Sequence, residues 1–340
     1  MVLEKLINDY FKILSPDYPK WLDDYINTKR MQKQKYVNTA CGKMYTKLFN
    51  EDCYSNLDHS IGVALIIYNF THEKKQTIAG LFHDIATPAF KHCIDFLNGD
   101  YIKQESTEEL TKYFIKESND IMALLKNDRL TPEDVDDYQK YPIADNHAPK
   151  LSADRLEYTL ANALIVFKII NLDDVKRIYQ DIEIEVNEDG IIELGFKTKK
   201  IAREFVKISS TLSLLYRDDA TRFYMQAVAD ILKKVSSEGL INKNDLYELK
   251  ESEVIAIINK SSYKDVWQEL CNATKVNISK EKPNCYYVKH PTKVRYIDPL
   301  CNGKRISSIC KIAKKMIDNN LSYQMDNYVY INDKFNILND

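Results

Sequence analysis

Ala79-Gly80-Leu81-Phe82-His83-Asp84-Ile85 sets an imidazole and a carboxylate side by side at the end of an apolar stretch. Neighbouring residues cannot both face one way from a regular helix, whose period is about 3.6 residues. Where a helix ends and the backbone turns, one cation can collect both side chains. Two further segments carry matching groups in helical surroundings. Upstream, His59 opens the run His59-Ser60-Ile61-Gly62-Val63-Ala64; downstream, Asp154 stands in Ser152-Ala153-Asp154-Arg155-Leu156-Glu157-Tyr158. Ser152 reads as an N-cap, which puts Asp154 in the first turn of its helix. Neutral imidazoles with carboxylates suit zinc or a transition metal held with open coordination positions. Any one of these residues alone reads equally well as a buried, hydrogen-bonded polar group. In this order, each in an apolar helical setting, His59, His83, Asp84 and Asp154 read as one metal site.

The rest of the chain supports a mainly α protein. Only 8 Gly occur in 340 residues, alongside long stretches of 3.6-residue apolar periodicity. Helices are expected at about 3–14, 19–27, 29–48, 58–70, 74–85, 89–97, 105–116, 118–126, 131–138, 152–169, 171–182, 198–215, 217–238 and 243–249. Ile182 to Val186 and Ile191 to Phe196 flank Asn187-Glu188-Asp189-Gly190, a hairpin by period-two alternation around a Gly-containing turn, expected as an excursion from the helices. Residues 285–288 and 293–297 read as a second strand pair, with a short helix near 306–319. The length allows one large domain with an appendage, or two domains. We divide it into N-terminal helices at 1–45, a metal-binding core at 46–240 and a mixed α/β region at 241–340 that packs on the core or builds a homo-oligomer.

Composition narrows the function. With 48 Lys and Arg against 50 Asp and Glu, the net charge of −2 lacks the basic field of a dedicated nucleic-acid binder. The 7 Cys form no CxxC pair, and no N-terminal segment reads as a signal peptide. The longest apolar candidate span, Leu160 to Ile170, is broken by Asn162 and Lys168 and is too short to cross a bilayer. These features predict a cytoplasmic protein without membrane partners and with reduced thiols.

The order His, His-Asp, Asp with long helical gaps resembles the signature of the HD phosphohydrolase superfamily. The resemblance implies an HD-domain helical bundle at 46–240 with a β-hairpin excursion and a small mixed α/β C-terminal region. From about Thr28 to about Leu232 the chain is similar to the deoxynucleotide triphosphohydrolase, or dGTPase-like, branch. Pro88-Ala89-Phe90-Lys91-His92 resembles that branch's Pro-Phe-Ser-His segment, and Gln104-Glu105-Ser106 stands where it has a His-Glu pair. The resemblance implies that Arg155 contacts phosphate, that Tyr158 lines the pocket, and that Arg222 and Tyr224 supply a basic and an aromatic pocket residue. It departs where the branch has an Arg three residues before the first His, here Asn56, and at Thr87, Gln104 and Asn162. Thr39 lies roughly where several relatives have a sugar-reading Gln. Sugar and triphosphate recognition are the altered parts.

The chemistry open to these groups is hydrolysis of a phosphate ester or anhydride. The oxygens of such a bond repel an anionic nucleophile, and a metal neutralises them while lowering the pKa of a bound water. One divalent transition metal (Mn, Fe, Ni or Zn) is expected, with Mg accompanying substrate phosphates. His92 is the candidate acid for the leaving group because its ordinary pKa is near neutral, and Glu105 is the candidate partner that orients it. The substrate expected is a nucleotide or other phosphorylated small molecule, a dNTP in the branch resembled. Two alternatives stand beside this. His92 and His147 are the only histidines placed to add a second metal, as in a cyclic-nucleotide or oligonucleotide phosphodiesterase. The substitutions at Asn56, Thr87 and Gln104 also suit a non-catalytic nucleotide-binding regulator.

Overall fold

The computed structural model describes residues 2–50, 52–104 and 110–337. Helices α1 (Val2–Leu14), α2 (Leu22–Ile26) and α3 (Lys29–Lys33) lead into α4 (Asn56–Thr71) and α5 (Lys74–Phe82). Three short helices follow, α6 (Cys93–Leu97), α7 (Thr111–Glu117) and α8 (Asn119–Asn127). Next comes α9 (Ala153–Ala161), continued by a π-helical turn over Asn162–Val166, and α10 (Leu172–Gln180). Strands β1 (Ile182–Val186) and β2 (Ile192–Phe196) precede the long helices α11 (Lys199–Leu215) and α12 (Asp219–Ser237). The chain then forms α13 (Lys243–Glu248), α14 (Glu251–Ile258), α15 (Lys264–Asn272) and β3 (Asn277–Ser279). It closes with β4 (Leu300–Cys301), β5 (Lys304–Arg305), α16 (Ile306–Ile309), α17 (Lys311–Leu321) and β6 (Tyr328–Tyr330).

α4 organises the interior. Val63 to Ile67 are fully buried, and the helix packs on α1, α5 and α9. A helix that is apolar on nearly every side belongs in the middle of a domain. One hydrophobic cluster joins these helices to α10, α11 and α17. A second gathers α6 and α12 with α14, α15, Val329 and Phe335. Among the described residues no helix is long and apolar enough to cross a membrane, and every cysteine is a free thiol.

Several expected elements differ. The helix expected over 29–48 stops at Lys33 and becomes a 3-10 turn over Gln34–Tyr36 and then loop. Cys41 and Gly42 take left-handed backbone angles, φ 57° and 79°. A Cβ on Gly42 would come within 2.7 Å of the Phe90 ring, so only glycine allows this turn against the core. Residues 131–138 form 3-10 turns rather than an α-helix. Helices α14 and α15 went unread, although Val254, Ile258, Trp267 and Leu270 are buried at helical spacing.

The expected hairpin forms, with Ile182 opposite Phe196 and Val186 opposite Ile192. It is not an excursion, however. β2 also pairs in parallel with β4, Phe196 opposite Cys301, and Leu194 and Phe196 are fully buried in the main core. The second strand pair is absent. β3 and β6 pair instead, Val288 adds a single bridge to Val329, and residues 293–297 run without a strand partner. Alternation marks an extended segment but cannot say what it lies against.

α14 ties this C-terminal region to the loop after α3. The buried Glu251 carboxylate accepts the Asn38 backbone N–H at 2.9 Å. Burial pushes its carboxyl up from 4.5 to about 7, against opposing hydrogen bonds from Asn38 and Tyr45. The folded protein therefore binds more protons than the unfolded chain between those values, and stability falls as pH rises through that window. The full difference above neutral pH is about 3 kcal/mol at roughly 1.4 kcal/mol per pKa unit. Glu251→Gln is expected to flatten this slope and to be the more stable protein at pH 8. Urea midpoints at pH 5 and pH 8 check it, and parallel pH dependence in both proteins would count against it.

Candidate metal centre and active-site cavity

Local capping fixes where the candidate ligands stand. Ser55 caps α4, its hydroxyl accepting the Asp58 N–H at 3.1 Å while the Asp58 carboxylate accepts the Ser55 N–H at 3.0 Å. This reciprocal box sets the start of the helix and places His59 on its second turn, 4% exposed. His83 is the C-cap of α5, so the chain is already leaving the helix at Asp84. Ser152 caps α9 by accepting the Arg155 N–H at 3.3 Å, which leaves Asp154 in the first turn.

Three helix termini thus meet. His59 Nε2 and His83 Nε2 are 3.2 Å apart, and Asp154 Oδ1 lies 3.2 Å from the first and 3.8 Å from the second. These three residues could hold a metal ion. Asp84 Oδ2 stands 3.7 Å from His83 Nε2 and 3.9 Å from His59 Nε2. It is drawn toward Lys91, whose ammonium donates to it at 2.7 Å.

The donor set fits a divalent cation. His83 Nδ1 faces the Gly80 carbonyl at 2.7 Å and His59 Nδ1 faces Glu157 Oε2 at 2.5 Å. Both acceptors favour a proton on Nδ1, which leaves the two Nε2 atoms, 3.2 Å apart, as the ring atoms that face a cation position. A divalent ion would take the place of any proton held between these nitrogens and Asp154. Carboxylate or carbonyl support behind a histidine is the usual backing of a metal ligand. Gly62 makes room for it, because a Cβ there would meet the Glu157 side chain at 2.7 Å. Burial alone pulls the His59 imidazole down, yet Glu157 and Asp154 push it up to about 9. Burial likewise opposes charge on Asp84 and Asp154. Lys91 and the imidazoles hold Asp84 well below the carboxylate range, and the imidazoles do the same for Asp154. Glu157→Gln keeps the shape but loses the charge behind His59, so metal affinity is expected to fall about 10–100-fold. A metal titration that superimposed on wild type would remove Glu157 from this role.

A cavity of about 350 Å³ opens beside the four groups. His92 lines it, partly exposed, with Nδ1 2.9 Å from the fully buried Asp95 Oδ2. Burial lowers the imidazole pKa, and Asp95 opposes that shift. Asp95 is therefore the carboxylate on His92; Glu105, expected in that place, lies outside the described residues. The i, i+3 spacing of His92 and Asp95 at a helix start was a readable signal.

Arg155 also lines the cavity, but its guanidinium binds Asp145 at 2.8 Å and the Asn146 carbonyl at 2.6 Å, pinning that loop. Tyr158 faces the cavity, and burial pushes its phenol up to about 12, so it stays a donor at neutral pH. Arg222 and Tyr224 are absent from the wall. Arg222 is fully buried on the His290 carbonyl and Asp219, and Tyr224 donates to the Cys41 carbonyl inside the second core. Their helix turns Thr221 and Met225, one turn apart, toward the cavity instead. His147 reaches the wall but does not join the ligand group among the described residues. Thr39 and Asn162 line it too. Reading the sequence missed Lys43 from the broken 29–48 segment, Lys91, and Lys293 and Arg295 from the unpaired 293–297 segment.

No family model matches the chain. Over 251 residues it is 25% identical to an uncharacterized protein of Bacillus subtilis, YdhJ, covering 71% of this chain and 72% of that protein. A phosphohydrolase of Bacteroides thetaiotaomicron superposes with a TM-score of 0.58 at 16% identity, over 92% of this chain and 96% of that one. A hypothetical protein of Aquifex aeolicus gives 0.59 at 17%, over 92% of each chain. These likenesses show a shared fold.

Proposed function

We propose that this protein is a metal-dependent phosphohydrolase acting on ester or anhydride bonds of a phosphorylated small molecule. The observation that carries this reading is the pair of Nε2 atoms 3.2 Å apart, both rings fixed from behind, with two carboxylates adjoining. His59, His83, Asp84 and Asp154 would hold one divalent ion of the Mn, Fe, Ni or Zn type. Such an ion supplies charge neutralisation and an acidified water. His92 then donates a proton to the leaving oxygen, and Asp95 keeps its ring aimed. Fold likeness to a phosphohydrolase adds support.

The finer reading is a nucleotide, with a dNTP as the first candidate. The cavity lies within the usual ligand-pocket range of roughly 300–1,000 Å³. Tyr158, Tyr216 and Phe167 offer flat apolar faces, while Lys43, Lys293 and Arg295 offer cations for phosphates. A mononuclear centre is favoured over a binuclear phosphodiesterase because neither His92 nor His147 joins the ligand group among the described residues. The test is metal analysis of the purified protein, then a nucleotide panel followed for pyrophosphate, triphosphate and monophosphate. Stoichiometric metal with turnover of any member supports the reading. Absence of both metal and turnover would favour the non-catalytic regulator.

A further inference from the structure

Lys91 stands at an unusual place on an unusual backbone. Its ammonium lies 2.7 Å from Asp84 Oδ2 and 2.7 Å from Asn56 Oδ1, and its side chain, 12% exposed, lines the cavity. Phe90 and Lys91 both adopt left-handed angles, φ 64° and 43°, a region that side chains other than glycine seldom enter. The fully buried Phe90 ring, set edge-on to Trp267 and Tyr45, anchors that bend in the core. The consequence is that Phe90 points into the core while its neighbour's cation is delivered to the candidate centre.

The oxygen that Lys91 holds, Asp84 Oδ2, also lies 3.7 Å from His83 Nε2 and 3.9 Å from His59 Nε2. A divalent ion bound there and the ammonium would share a single carboxylate oxygen, and Asp84 and Asp154 do not balance both cations, which leaves net positive charge for a further anion. We propose that Lys91 is a phosphoryl-binding residue: a non-bridging phosphate oxygen lies between its ammonium and the metal position, with Asn56 steadying the amine. This rests on the hydrolase reading above and specifies which group grips the reacting phosphoryl. Arg155 cannot do this while pinned to Asp145 and Asn146.

The test uses Mn²⁺ alone, then inorganic phosphate added to the Mn²⁺-loaded protein, followed by titration calorimetry. Lys91→Gly removes the cation and suits the left-handed backbone, so the fold is retained; Lys91→Arg keeps the charge. Lys91→Gly is expected to bind Mn²⁺ at least as tightly as wild type and phosphate about 10–100-fold more weakly, the scale of a lost charge-assisted hydrogen bond. Lys91→Arg should recover most of the phosphate affinity. A tether that merely positions Asp84 would behave oppositely, with weaker Mn²⁺ binding and unchanged phosphate affinity, and that result overturns the assignment. Equal phosphate affinity in wild type and Lys91→Gly also overturns it, while leaving the hydrolase reading intact. A wild-type protein that takes up no metal overturns both.

Discussion

Asp154→Ala is expected to yield a folded protein without stoichiometric metal and without hydrolysis. Asp154 Oδ1 sits 3.2 Å from His59 Nε2, and its charge is one of two carboxylates that balance a divalent ion there. Loss of a residue behind a ligand weakens metal binding about 10–100-fold, so removal of a ligand should cost on the order of 10³-fold or more. The fold should survive. An acidic residue in the first turn of a helix contributes only about 0.3–1 kcal/mol through the helix dipole. Removing it also relieves repulsion with Asp84 and Glu157. Metal should therefore raise the melting temperature of wild type, by mass action on the folded state, and leave Asp154→Ala unmoved. Asp84→Ala should lose metal as well. Full metal content in either variant would displace the site from these residues.

The second large effect is expected at His92. Its ring lines the cavity without belonging to the ligand group, and a buried carboxylate holds Nδ1. His92→Ala should retain metal and lose about 10²–10⁴-fold in rate, the scale of general acid–base catalysis. Asp95→Asn should lose less. The negative charge of Asp95 opposes the effect of burial on the imidazole, so its removal lowers the pKa further. The protonated acid then persists only at lower pH, and the alkaline limb of the rate profile should move down. Loss of metal in His92→Ala would point to a second metal and a binuclear phosphodiesterase. Normal turnover in both variants would send the search for the acid to His147.

What the sequence determined by itself was short-ranged. Ser55 and Ser152 cap their helices through bonds three residues away, so the first turns bearing Asp58 and Asp154 are set locally. A helix as apolar as Asn56–Thr71 can only be central, and His83-Asp84 at a helix end can serve one ion. These features needed no distant partner, and they carried the helical fold and the candidate ligands.

Tertiary structure decided the rest. Whether Arg222 or Thr221 faces the cavity depends on how α12 is rotated against α6 and the second core, which no spacing along α12 states. The expected helix stops at Lys33, and the left-handed turn at Gly42 admits only glycine because Phe90, 48 residues on, occupies the space a Cβ would need. The alternation in 293–297 announces an extended segment, but its use as a cavity wall follows from the Lys293 N–H donating to the Tyr101 carbonyl at 3.1 Å. Likewise β2 joins the core only because β4 arrives from a hundred residues away to cover its other edge. Capping and periodicity are energies of neighbours in sequence, whereas facing, pairing and cavity walls are energies of neighbours in space.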